Sequence, residues 1–314
     1  MPWPKSFRWR YSLRALLVFI TLFMLWGGYH AGRSWPERRA ELVVRPWEAV
    51  LHRGPARPNS LLGYPVYAYQ KLVQVLWGER FITHVTLCVE PKPEAVEAIA
   101  ALPNLQGLSM YRPPTDIREG MPRIAVPDGS IQRILAKRPL RALELEGADL
   151  GERDLRAIAG HHSLQRVSLS HANLSEEDLA AMASSPELTH LWFSHCNVTG
   201  AKLTSAPGSP LLHSVQCAES PVAIEFAAFL GRCPNLQRLS IQCEAIDDKF
   251  VAALGPHPSV QFLNLGMTKV TERSLNTIAQ MPSLQYVVLP REGISLAAME
   301  RLQKMRPKVH VARY

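Results

Sequence analysis

The sequence is short of the residues that many enzymes and cross-linked domains are built around. Its five cysteines (Cys88, Cys196, Cys217, Cys233 and Cys243) are an odd number and include no Cys-x-x-Cys pair. Neither a disulfide framework nor a zinc ribbon is indicated, because both need paired cysteines. A glycine-rich phosphate loop, a nucleophile elbow and a His-Glu-x-x-His sequence are all missing. The usual signs of nucleotide binding, acyl transfer and zinc proteolysis are thereby removed. Acidic residues are scarce at one end only. Residues 1–60 hold ten Lys/Arg against three Glu, and of 35 basic and 27 acidic residues this leaves 25 against 24 beyond that point. The net charge of +8 therefore flanks an apolar run, where it reads as membrane topology and attraction to anionic lipid rather than to nucleic acid. No nucleic-acid partner and no cofactor is expected.

That run, Ala15 to Tyr29, carries no charge. As a helix it covers about 22 Å. Starting at Leu13, with Arg14 snorkelling outward, and continuing to Gly32 gives roughly the 20 residues a bilayer needs. Residues 13–32 are therefore read as a transmembrane anchor behind a basic tail, 1–12. Trp26 and Tyr29 sit where interfacial aromatics belong. A cleaved signal peptide would share these features, but no Ala-x-Ala follows, and Tyr29-His30-Ala31 has a bulky first residue. Arg8, Arg10 and Arg14 precede the run and Arg33 follows it closely. That bias favours a cytoplasmic N-terminus with the remainder exported.

From residue 141 the sequence repeats every 24 residues, seven times without a gap. The units open at Arg141, Gln165, Thr189, His213, Gln237, Gln261 and Gln285. An apolar residue precedes each opening (Leu140, Leu164, Leu188, Leu212, Leu236, Val260, Leu284), and apolar residues fill the third and fifth places. Another follows five places later, at Leu150, Leu174, Val198, Val222, Ile246, Val270 and Ile294. This is the L-x-x-L-x-L-x-x-x-x-L pattern of leucine-rich repeats. Apolar residues two apart enter the core from one side of a strand. The second half of each unit changes to helical spacing, as in Leu155 and Ile158, Leu179 and Met182, or Val251 and Leu254. Ser175, Asp247, Thr271 and Ser295 are placed to cap helices, and Pro186, Pro234, Pro258 and Pro282 to close them.

One such unit cannot bury its own apolar faces, so stacking is required, with parallel strands on one side and helices on the other. Helices are wider than the strand spacing of roughly 4.8 Å, so the sheet must be concave. Two irregular units come first: Thr83–Leu105, one residue short, and Gln106–Leu140, with eleven extra residues around Tyr111–Gly129. That insertion reads as a surface loop. A last strand, Val309–Tyr314, puts Arg313 in a core slot. The fold class is thus an α/β leucine-rich-repeat solenoid over 83–314, about nine repeats and a terminal strand, behind the N-terminal transmembrane helix. Residues 33–63 form a linker with a short helix around Ala40–Leu51. Residues 64–82, including the amphipathic Tyr64–Trp77, form a helix capping the first strand.

Leu265-Gly-Met-Thr-Lys-Val-Thr-Glu-Arg-Ser-Leu275, followed by Met281-Pro-Ser-Leu284-Gln, resembles the bacterial ribonuclease-inhibitor-like class of leucine-rich repeats. Arg10-Tyr-Ser-Leu-Arg-Ala-Leu-Leu17 and Trp77-Gly-Glu-Arg-Phe81 are similar to segments of small bacterial membrane-anchored repeat proteins. The resemblance implies protein–protein interaction, no shared catalytic residue and a place in the bacterial inner membrane. One departure stands out. The slot usually held by Asn or Cys is Ala148, Ala172, Cys196, Ser220, Glu244, Thr268 and Glu292, which suggests looser turns.

The second, fourth and sixth places face the concavity. Arg166, His190, Trp192, Gln216, Arg238, Phe262, Asn264 and Tyr286 are the candidate partner-binding residues there, since exposed aromatics and arginines compose interface hot spots. Glu144, Glu146, Ser168, Ser170, Ser194, Ser240 and Gln242 share the face. The seventh places read His171, His195, Glu219, Cys243 and Met267, all metal-capable and stacked about 5 Å apart. His171 and His195 with Glu219 would resemble a zinc site, and a metal-dependent hydrolase is the alternative function. A purely structural envelope protein is a further one. His161-His162 ends a convex helix among turn residues. Cys196 and Cys217 occupy core slots as small hydrophobes.

Overall fold

The computed structural model describes residues 50–53, 82–87, 91–111, 124–198 and 207–314. Ten parallel strands follow chain order across one sheet: Ile82–Leu87, Gly107–Met110, Ala142–Leu145, Arg166–Ser170, His190–Ser194, Ser214–Ala218, Arg238–Gln242, Phe262–Asn264, Tyr286–Leu289 and His310–Arg313. From Ala142 onward partners lie 24 residues apart, so that His190, Ser214, Arg238, Phe262, Tyr286 and His310 are consecutive neighbours. The third and fifth places, from Val85 and Leu87 to Val287 and Leu289, are buried without exception. Each such side chain contributes about 1.5–3 kcal/mol on burial, and the one continuous core they make is what holds rung to rung.

The returning halves are helical: Pro93–Ala100, Ser130–Lys137, Glu152–Ala159, Glu176–Ala183, Ile224–Leu230, Asp248–Leu254, Leu275–Ala279 and Leu296–Met305. The corresponding stretch at 199–206 lies outside the described residues. Side chains of Ser175, Asp247, Thr271 and Ser295 each accept a backbone N–H of the first turn that follows. At Ser175 the box is reciprocal, with Asp178 accepting the Ser175 N–H at 3.3 Å. Acidic residues near the starts of other helices reach across to neighbouring rungs. Asp154, wholly buried, accepts from Gly129 N at 3.1 Å and Gln132 N at 2.9 Å. Asp248 accepts from Thr271 N at 2.8 Å and from the Thr271 and Ser274 hydroxyls. Glu272 accepts from the Ser295 hydroxyl and from Arg301. Buried Asp154 is pushed above the usual carboxylate range by loss of solvent. At Asp248 burial acts the same way, but the Ser274 and Thr271 hydrogen bonds outweigh it and hold the carboxyl low.

Several expectations change. Val50–Arg53 is a strand, not the end of a helix over Ala40–Leu51, and it pairs antiparallel with Ile82–Leu87. The first strand's unpaired N–H and C=O groups offer a ladder, which outweighs the weak local helical preference. The proposed capping helix lies outside the described residues over 64–81, and its last residue, Ile82, opens the first parallel strand. Residues 13–32 also lie outside; among the described residues no helix is long and apolar enough to cross a membrane. Within the insertion, Ile124–Ala125 pairs in parallel with Ala148–Asp149. The extra residues therefore enter between the seventh and eighth places of the unit, leaving the strand register intact: Gly107 faces Ala142. Arg313 stands beside core residue Leu289 in register yet is exposed, because its strand lies at the edge of the described sheet.

His257 fills a slot held by Cys233 and Met281 in neighbouring rungs, and only 2% of it is exposed. Its Nε2 lies 3.1 Å from the Leu230 carbonyl oxygen at the end of a helix, and its Nδ1 accepts from Ser259 N at 3.3 Å. That pattern requires Nε2 to carry the proton and Nδ1 to be bare. Burial pushes the imidazole below its ordinary value, against the pull of carbonyl hydrogen bonds. The unfolded chain therefore binds the proton first, so stability is present above about pH 6.5 and is lost as pH falls towards the folded value. Melting temperature should drop between pH 7 and pH 5, and His257→Gln should flatten that slope while lowering stability at neutral pH; calorimetry across the range checks both.

Candidate partner-binding face

The second places of successive rungs read His84, Gly107, Ala142, Arg166, His190, Ser214, Arg238, Phe262, Tyr286 and His310 in one register column. Its last four members touch in series. The Arg238 guanidinium lies 5.1 Å from the Phe262 ring centroid. Phe262 and Tyr286 stack at 5.4 Å with 12° between planes, and Tyr286 meets His310 at 4.8 Å. The strand ladder alone dictates this spacing: planar side chains on adjacent parallel strands are held near stacking distance. Phe262 and Tyr286, expected to be exposed on this face, are half-buried, each stacked against its neighbours in the column. His310 was missed in the sequence because its strand begins outside the gapless repeats.

The fourth places carry Ser168, Trp192, Gln216, Ser240 and Asn264 alongside. Trp192 is 45% exposed. With Arg166, His190, Gln216, Glu144, Ser168 and Ser214 it rims a hollow of about 170 Å³ floored by Val167 and Leu191. Burial, then the Arg166 charge and His213, hold His190 below the ordinary imidazole value. Ser168 and Ser170, expected on the open face, are buried, and Ser170 Oγ accepts the Gly147 N–H at 2.6 Å. Asn264 turns back and accepts the Gly266 N–H at 2.9 Å.

At the other end of the face a polar chain crosses three strands. His84 Nε2 lies 2.8 Å from Ser109 Oγ, which donates to Glu144 Oε2 at 2.8 Å. Gly107 makes room for it, because a Cβ there would stand 2.0 Å from His84 Nδ1. Ser109 is buried, so its hydroxyl is a structural link and not a nucleophile. Glu146 nearby is raised by burial and by Glu144.

The seventh places take a different role from the metal column entertained above. His171, His195, Glu219 and Met267 all have positive φ, between 47° and 60°, and Gly147 has φ 74°. At these five rungs the strand gives way to a left-handed residue that turns the chain towards the helices, and non-glycine residues there cost about 1–2 kcal/mol apiece. His171 and His195 stack face to face, centroids 4.7 Å apart at 17°, and His195 Nδ1 is 3.3 Å from Glu219 Oε2. Near-parallel rings direct their nitrogen lone pairs side by side instead of at one point, so the two imidazoles do not converge on an ion. Among the described residues no three His, Cys, Asp or Glu side chains are grouped to hold one. Cys243 departs from the column and is buried. The eighth slot is tighter than its composition suggested: Ser220 Oγ accepts from Cys196 N and donates to Ala218 O, both at 2.9 Å. Cys196 and Cys217 are buried free thiols, and burial pushes Cys217 far up. His161 pairs with Ser163 at 3.0 Å in the return turn.

Strand, left-handed turn and helix, repeated in register, define a leucine-rich-repeat-like α/β solenoid. No family model matches the chain, and no curated protein matches it. Among solved structures it is similar to internalin C2 from Listeria monocytogenes, at 15% identity and a TM-score of 0.42, over 67% of this chain and 80% of that one. The repeat geometry itself, not that likeness, carries the assignment.

Tyr286 contacts rings on both sides, each contact worth about 0.5–1.5 kcal/mol. Tyr286→Ala should therefore lower stability by roughly 1–3 kcal/mol in urea denaturation, and Tyr286→Phe by far less.

Proposed function

We propose that this chain is a non-catalytic, membrane-tethered binding protein that takes up a protein or peptide on its concave sheet. The observation that carries the reading is the series Arg238, Phe262, Tyr286 and His310, four side chains already ordered by one another, lying two strands from exposed Trp192. Aromatic and arginine side chains supply most interface energy when they become desolvated, and holding them in place beforehand reduces the ordering cost of binding. Against a catalytic role stand the buried hydroxyl of Ser109 and the parallel rings of His171 and His195. The tether is the apolar segment 13–32, with the N-terminus cytoplasmic and the solenoid on the exported side of a bacterial inner membrane.

Two measurements test this. Cross-linking in intact membranes should capture a protein on the solenoid, and Trp192→Ala combined with Arg238→Glu should remove it; an unchanged partner set refutes the concave site. Protease added outside spheroplasts should cut the solenoid, whereas protection there with cleavage in inverted vesicles would reverse the orientation.

A further inference from the structure

Charge on the concave face narrows the chemistry of its ligand. From Arg166 to His310 the second and fourth places hold no Asp or Glu over seven rungs. Carboxylates lie at the margins of that tract: Glu144 and Glu146 one rung before it, and Glu219, Glu244 and Glu292 past strand ends. Two exposed guanidinium groups stand on it, Arg166 and Arg238, three rungs apart with the Trp192 hollow between them. At ladder spacing their backbones are about 14 Å apart. An extended chain laid across the strands advances about 3.3 Å per residue and turns alternate side chains the same way. Its residues i and i+4 are then about 13 Å apart, facing one side, with i+2 midway between them.

Building on the concave-face reading, we propose that the ligand is an extended acidic segment of a protein, with the pattern acid-x-bulky apolar-x-acid. The two carboxylates pair with Arg166 and Arg238, and the middle side chain enters the hollow beside Trp192. Paired carboxylate and guanidinium groups form charge-assisted, bidentate hydrogen bonds, which fix register as well as adding affinity. Residues beyond the second acid lie over the Phe262, Tyr286 and His310 rings. The whole tract, about 29 Å at ladder spacing, accommodates roughly nine extended residues.

A single-stranded nucleic acid also seeks cations and aromatic faces. Its phosphates recur at every nucleotide, however, whereas the guanidinium groups here are three rungs apart and carboxylates flank the tract. A protein segment with two spaced acids matches that arrangement better.

The test uses the full chain in detergent and a fluorescein-labelled nonapeptide, Gly-Ser-Glu-Thr-Leu-Thr-Glu-Ser-Gly, beside its twin with both Glu replaced by Gln. Fluorescence anisotropy should show the acidic peptide binding about tenfold or more tightly than its twin, with the advantage shrinking as salt rises. Arg166→Glu and Arg238→Glu should each abolish that advantage, while Lys249→Glu on the opposite side leaves it intact; unchanged circular dichroism verifies folding. Equal binding of the two peptides, or tighter binding of a nine-nucleotide oligo-dT, overturns the proposal. If the peptides do not differ yet the Trp192 and Arg238 changes still strip the cross-linked protein, the acidic ligand is wrong and the concave site stands. Should those changes leave the cross-linked protein in place while the unaltered chain still prefers the acidic peptide and the Arg238→Glu chain does not, the concave face takes acidic segments as proposed and the cross-linked protein is held elsewhere on the solenoid.

Discussion

Backbone hydrogen bonding between residues a fixed 24 positions apart turns a period in sequence into a period in space. Once Ser214 pairs with both His190 and Arg238, every place in a unit becomes a column, and whatever recurs along the chain is stacked at strand spacing. The consequences run in both directions from the sheet. Inward, columns of Leu, Val and Ile merge into one core. Outward, planar side chains are brought to stacking distance whether or not stacking was selected, which is why the same geometry appears in the Phe262–Tyr286 pair and in the His171–His195 pair. What such a column can do depends on the direction of its polar atoms and not on the composition of the list.

The helical side obeys a second constraint. Helices of seven or eight residues are too short to persist alone. Their starts are tied to those of neighbouring rungs by Asp154, Asp248 and Glu272, and one end is tied down by Arg306, which donates to the carbonyls of Ala279 and Met281. These ties satisfy end groups that a helix leaves unpaired, and they couple each rung to the next independently of the core.

Most of the architecture was legible because it is periodic. Third and fifth places, capping residues and strand order all follow from spacing, and Ser175, Asp247, Thr271 and Ser295 cap as their positions required. What escaped the sequence was non-periodic or relational. Val50–Arg53 joins the sheet because the first strand needs an edge partner, a demand visible only once that strand exists. The left-handed residues carry His, Glu and Met where glycine or asparagine would have announced the turn. Of the face itself, the residues were readable from their places, but not that Phe262 and Tyr286 shade each other, nor that His310 completes their series. How far side chains of one column cover each other depends on rotamers, which spacing does not specify.

The position of the eleven-residue insertion has a consequence for how this molecule varies. Gly107 faces Ala142 across 35 residues as squarely as Arg166 faces His190 across 24, so the joint between seventh and eighth places absorbs length without disturbing either neighbour. Because loop closure grows only logarithmically more costly with length, the equivalent joint in any other rung is a natural splice point. A foreign segment introduced there would emerge at the lip of the sheet, beside whatever lies in the hollow. New specificity can thus be added from the margin, without rewriting the strands that hold the stack together.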